Sequence, residues 1–297
     1  MLRSLGLQIS YDQLMFLGGG AFRISWSSQW TSEAAFACGE DIIANAARSQ
    51  GCTATSQFPA SLEETWKMIT ASIEAGTPPL TSGALSRSDW AVIVGYEDSP
   101  RRLLLRDLPT QSVEPVAKTF EEWRGWTYAG GGKFPLITLK RVGKVMDDIQ
   151  ATAEALDRAV RFNREVEFTM RGGDGSEMQF YSGARAYQEF ARSAATIAVG
   201  ANGEALAARL ALMNLTIKTI IDARKSAIEN LEVVKRRGSR QTYDMTVAVD
   251  RYASEVAVLE QALMIGGSSV IADAITVAGE EDNKAVAALW RVLKKLD

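Results

Sequence analysis

The rhythm of apolar and polar positions changes once along the chain, near residue 143. Before it, short apolar runs alternate with brief helical patterns; after it, long 3.6-residue periodicities take over. The clearest short run is Ser88-Asp89-Trp90-Ala91-Val92-Ile93-Val94-Gly95-Tyr96, followed by a turn at Glu97-Asp98-Ser99-Pro100 and then Leu103-Leu104-Leu105-Arg106-Asp107. Two apolar runs joined by such a turn predict a pair of mostly buried strands, with an acid, Asp89 or Asp107, at the end of each. Pro78-Pro79 forces an extended path into Leu80-Thr81-Ser82, and Phe134-Pro135-Leu136-Ile137-Thr138-Leu139 predicts a further strand.

Helix signals lie between these strands. Ser10 caps Tyr11–Phe16, and Gly51 closes a helix over Glu40–Gln50. Ser61-Leu62-Glu63-Glu64 is a capping box that opens a helix through Trp66, Ile69 and Ile73 to Gly76. Phe120–Trp126 predicts a short helix and Gly130-Gly131-Gly132 a turn. Beyond Gly143, helical patterns cover roughly 145–169, 183–199, 203–237, 241–265 and 269–296, with Gly172-Gly173-Asp174-Gly175 and Gly266-Gly267 as breaks. In the third, Leu206, Leu210, Met213, Ile217, Ile220 and Ile221 lie on one stripe; such stripes are core. The expected architecture is α+β, a mixed domain over 1–143 followed by an α-helical bundle over 144–297.

Composition narrows the functions. Apolar residues make up 46% and charged residues 23%, the balance of a soluble globular protein, so a cytoplasmic location is expected. No stretch reaches the roughly 18 apolar residues of a membrane span, and Met1-Leu2-Arg3-Ser4-Leu5-Gly6 opens no secretory signal. The net charge of −3 is spread evenly, with 13 basic and 14 acidic residues in 1–143 against 20 and 22 in 144–297. Neither half is a nucleic-acid binder by charge, and Lys235-Arg236-Arg237 with Arg240 reads as cations at a helix end. Histidine is absent, which excludes within the chain any Ser-His or Cys-His pair and any His-ligated metal site. Cys38 and Cys52 fit neither a disulfide framework nor a zinc motif. Gly18-Gly19-Gly20 lacks the Lys-Ser/Thr of a phosphate loop, so no cofactor is expected. Trp26 and Trp30 flank Ser27-Ser28-Gln29 and form either a wall for a pocket or a cover over core.

Four stretches, in this order and spacing, resemble the N-terminal domain of butirosin biosynthesis protein H and its relatives. They are Gly6-x-x-Ile9-Ser10-Tyr11-Asp12-x-Leu14-Met15, Gly19-Gly20-Ala21-Phe22-Arg23-Ile24-x-Trp26, Trp90-Ala91-Val92-Ile93-Val94-Gly95-Tyr96 and Leu105-Arg106-Asp107. Gly183-x-x-Ala186-Tyr187 and the helix around Arg224 are similar to the helical region that follows in that family. The resemblance implies a papain-like cysteine-peptidase-type N-terminal domain, and acyl transfer from a carrier-protein thioester to an amine. Carried over by position, Asp107 matches the acid that orients the imidazole, Trp90 occupies the histidine position with Asp89 before it, and the nucleophile falls upstream of Met1. An indole takes no proton at neutral pH, so the family's chemistry cannot run in its usual form.

Two functions follow as expectations. In the first, a catalytically degenerate protein of natural-product metabolism keeps a cleft for a small amine-containing or peptide-like ligand. Trp90, Trp26, Trp30 and Tyr96 then form the walls, and Asp89 and Asp107 supply negative charge. In the second, an acyltransferase with a histidine-free site positions a thioester on an acyl carrier protein against an amine, with Asp107 or Asp89 as base. The helical half offers a surface for a lid or a homo-oligomer.

Overall fold

A computed structural model of the chain describes residues 2–31, 38, 40–59, 61–82, 90–107, 114–119, 136–171, 177–237 and 242–295, with the backbone alone at residues 3, 82, 90, 107 and 171. Asp89, the helix expected over Phe120–Trp126, Gly130–Gly132, Phe134-Pro135, the Gly172–Gly175 break and Arg240 lie outside the described residues. The fold is mixed α+β with two antiparallel sheets. The chain divides into two compact units.

The first unit comprises Met1–Ile9, Ala47–Val145 and Arg171–Met178. Its six strands are β2 (Cys52–Gln57), β3 (Leu80–Ser82), β4 (Trp90–Asp98), β5 (Arg101–Asp107), β6 (Val116–Thr119) and β7 (Leu136–Arg141). They form one sheet in the order β2-β7-β3-β4-β5-β6. The apolar pair of runs read from the sequence is the β4–β5 hairpin, with Ile93 opposite Leu105 and a bulge between Ile93 and Gly95. Ala91 and Ile93 face inward and Val94 is exposed; beyond the bulge the alternation shifts by one residue, so that Tyr96 packs against the core holding Ile93 and Leu103. Helix α3 (Leu62–Glu74) starts at the expected cap, where the Ser61 side chain accepts from the Glu64 N–H. Trp66 and Ile69 from α3 join Ala91, Ile93, Leu103, Leu105 and Leu136 in one core. At the edge, Gly51 (φ +68°) accepts from the Val142 and Gly143 N–H groups; a Cβ there would lie 2.5 Å from the Lys144 carbonyl oxygen.

The second unit comprises Ser10–Ala46, Met146–Met170 and Gln179–Asp297. It contains α1 (Tyr11–Gly18), a 3-10 turn at Gly20–Phe22 and β1 (Ser25–Trp26). The helices α4 (Asp148–Arg164), α5 (Gly183–Ala195), α6 (Gly203–Arg236), α7 (Thr242–Ile265) and α8 (Ser268–Leu293) complete it, and α2 (Ile42–Ser49) runs across the division. Ser10 caps α1 by accepting from the Gln13 N–H, and both α1 and the 3-10 turn pack on α6. The sequence places residues 1–143 in one domain; the structure instead groups Ser10–Ala46 with the helices. Helix α8 is the central one, packed against α4, α5 and α7.

One segment differs in type from the expectation. The helix predicted to reach residue 169 ends at Arg164, and β8 (Glu167–Arg171) and β9 (Glu177–Ser182) follow. Glu167-Phe168-Thr169-Met170-Arg171 alternates polar and apolar with period two, a strand pattern. These strands form a second sheet in the order β1-β9-β8, with the Phe168 and Phe180 rings stacked at 5.4 Å.

Candidate functional site

The residues singled out in the sequence fall in different units. In the first, backbone register sets Asp107 opposite Ala91, the neighbour of Trp90, and Trp90 opposite Ser82. Trp90 and Asp107 therefore share one end of the sheet. Tyr96 lies nearer the hairpin turn; its hydroxyl donates to Glu74 Oε1 at 2.9 Å and its ring meets Trp66 edge-on. In the second unit Trp26 and Trp30 do meet, edge to face at 5.1 Å. Trp26 is fully buried, stacked on Phe190 at 4.1 Å, and its Nε1–H donates to Ser193 Oγ at 3.0 Å. Of the two readings left open for this pair, Trp26 takes the core one. Trp30 is half-buried at φ +56°, with the Arg209 guanidinium over its ring.

Neither thiol is poised for chemistry. Burial pushes the Cys38 thiol up, against the opposing pull of a backbone hydrogen bond at Glu40 and the charge of Arg23. Burial also raises Cys52, which sits on β2 and donates weakly to the Gln50 carbonyl. A nucleophilic cysteine requires the opposite shift.

The most concentrated chemistry in the second unit is a cluster around Arg224 at the middle of α6. Arg224 is completely buried. Its Nε–H is shared between both Glu255 oxygens at 3.1 Å. Nη2 reaches Asp282 Oδ1 at 2.9 Å and donates to Tyr187 Oη at 3.0 Å. Nη1 donates to the carbonyls of Ala21 at 2.9 Å and Arg23 at 3.4 Å. Of the five N–H bonds of a guanidinium, four donate to these acceptors, and the contact with Asp282 Oδ1 is an ion pair without hydrogen-bond geometry. Arg224 is fully buried and its contacts run to five different residues, so it organises its neighbours. Around it, Tyr187 donates to Glu255, Asn163 Nδ2 donates to Asp282 Oδ2 at 3.1 Å, and the Tyr252 ring lies 5.3 Å from the guanidinium.

Glu255 and Asp282 both face Arg224, yet their protonation is set by the dry interior. Burial pushes Glu255 up to about 8, outweighing the attraction of Arg224, and burial likewise raises Asp282. With Glu255 protonated, Arg224 and Asp282 balance one for one; once it ionises, the cluster carries an uncompensated negative charge away from water. Tyr187 and Tyr252 remain protonated phenols, raised above all by burial.

Tyr187 also lines a groove of about 530 Å³ between α5 and α8. Gln188 and Arg192 on α5 and Asp273, Thr276 and Glu280 on α8 give it polar walls. Arg192 pairs with Glu189. Asp273 and Glu280 have no ion pair among the described residues, so the groove favours a positively charged occupant. At its floor Gly279 lets the helices close up: a Cβ there would lie 2.7 Å from Tyr187 Cβ.

This groove and the cluster were not singled out as sites in the sequence, although a signal for the cluster exists. Arg224 falls in phase with Ile217, Ile220, Ile221 and Leu231, Glu255 with Tyr252 and Leu259, and Asp282 with Ile275 and Leu289. One cation and two acids, each inside a core stripe, must meet partners in the core. No family model matches the chain, and no curated protein matches it.

Proposed function

We propose that the chain is a catalytically degenerate papain-like protein that binds a small amine-containing or peptide-like ligand without turning it over. The observation that carries this reading is the state of the two thiols: both are raised by burial, in a chain with no histidine to deprotonate them. The resemblance of the β4–β5 region to the acyltransferase family supports a retained ligand site at the sheet end shared by Trp90 and Asp107. The acid there suits a cationic amine, and an indole suits its apolar part.

Calorimetric titration with amines of increasing size, run beside a turnover assay on an N-acetylcysteamine thioester, tests this. Binding without turnover is expected. Asp107→Asn should weaken binding about tenfold, the loss of one charge-assisted hydrogen bond, while Asp273→Asn with Glu280→Gln leaves it unchanged. Loss on the second pair instead would move the site to the α5–α8 groove. Thioester turnover that survives alkylation of both cysteines would establish a histidine-free transferase and defeat the binding reading.

A further inference from the structure

Helix α6 is composed in two halves. From Ala205 to Ile217 the only charged residue is Arg209, and its guanidinium is turned inward, donating to the Ile197 and Val199 carbonyls at 2.9 and 2.8 Å. From Lys218 onward the helix carries charge on nearly every turn. A helix that is apolar all round is ordinarily covered all round. Here it is not: Ala207, Ala208, Ala211 and Leu215 are exposed on its outer side, Leu215 at 37% and the neighbouring Leu210 at 38%. The helix lengths account for part of this. Helix α6 has 34 residues against 24 in α7, so the returning helix stops short and leaves the first turns of α6 without its cover.

The outer stripe is complementary to its own reverse. Glu204, Ala211 and Lys218 are spaced by seven and share one face, and all three are exposed. Two such helices laid antiparallel, with a two-fold axis at Ala211, bring together residues equidistant from it. Glu204 then meets Lys218 of the second copy, twice over. Ala207 meets Leu215, large against small, and Ala208 meets Asn214. The alanines at the axis permit close approach, and antiparallel helices also oppose their dipoles favourably. A parallel pairing would set Glu204 against Glu204 and Lys218 against Lys218, so the end charges select orientation and register.

We infer that the outer face of α6 from Glu204 to Lys218 is a two-fold docking surface for a second copy of this chain. The contact spans about 21 Å of helix, and by itself buries less than the roughly 800 Å² per partner of a standard interface. The dimer is therefore weak, dissociating in the micromolar range, and both copies contribute identical residues.

Sedimentation equilibrium of the full chain between about 1 and 200 μM tests it, with a monomer–dimer isotherm expected in that range. Ala211→Arg sets two guanidinium groups at the axis and should abolish dimerisation; arginine is a good helix former on an exposed surface, so the melting curve should not change. Glu204→Lys or Lys218→Glu alone should each weaken the dimer about tenfold, since every two-fold pair counts twice, and the double reversal should restore it to within about twofold of wild type. As a second readout, Ala211→Cys should give a reducible covalent dimer on mild oxidation while the wild-type chain, with Cys52 buried and Cys38 half-buried, does not. A chain that stays monomeric to 200 μM and gives no cross-link with Ala211→Cys overturns the inference. So does a dimer indifferent to Ala211→Arg, or one that the double reversal fails to restore.

Discussion

At the residue scale, Glu255 carries the most consequential proton in the second unit. Its folded-state pKa of about 8 lies above the roughly 4.3 of an unfolded glutamate. The folded protein therefore holds a proton that the unfolded chain gives up, and this stabilises the fold fully below about pH 4. The contribution shrinks as pH rises and is gone above about pH 8; raised Asp282 adds in the same sense. Chemical denaturation from pH 5 to pH 9 should show stability falling. Glu255→Gln, neutral at every pH, should flatten that slope and equal or exceed wild type at pH 9. Arg224→Met removes the cation and leaves two buried acids, a loss of about 3–5 kcal/mol in unfolding free energy. Much of this cluster is legible in retrospect from three charges in phase with apolar stripes. Its geometry is not, because the Ala21 and Arg23 carbonyls that complete it lie some 200 positions earlier in sequence.

At the scale of elements, local chemistry is legible in the sequence and strand pairing less so. Ser10 and Ser61 cap the helices expected of them, and the β4–β5 hairpin forms from its two apolar runs. The β8–β9 pair is not legible because five residues of alternation follow directly on a long helical pattern, and what makes them a strand is pairing with β9, which in turn pairs with β1 far upstream. The α5–α8 contact gives a sharp test. Glycine within a helix normally loses about 1 kcal/mol to alanine, so Gly279→Ala would stabilise an isolated helix. Here the added methyl meets Tyr187 Cβ and Cγ at 2.7 and 2.9 Å. Overpacking should outweigh propensity and destabilise by about 1–3 kcal/mol, measured as a lower melting temperature. By contrast Asn202→Ala, which removes the side-chain acceptor for the Ala205 N–H at the start of α6, should lose only about 1 kcal/mol.

At the scale of the whole molecule, the mixed α+β class is visible in the sequence. The regrouping of Ser10–Ala46 is not: its affinity for the helices rests on Arg224, on the Tyr11–Asp222 bond at 2.6 Å and on the Asp12–Ser226 bond at 2.6 Å. No helix among the described residues is long and apolar enough to cross a membrane. Each unit has its own core, so damage should stay local. Hydrogen exchange on Arg224→Met should show early loss of amide protection in α5–α8, while the β4–β5 amides keep theirs.

The grip of Arg224 on the carbonyls beside Phe22 also sets the order in which the molecule can assemble. Residues 10–46 are synthesised well before their anchor on α6, whose own counter-charges sit later still on α7 and α8, so the Ala21 and Arg23 carbonyls wait for the completed cluster until Asp282 has been made. The sheet of the first unit, encoded almost wholly between residues 47 and 145, has its strands complete long before. Synthesis thus delivers a finished sheet while residues 10–46 still lack their completed anchor, and a chain cut short before Asp282 would leave Arg224 without one of its two acids.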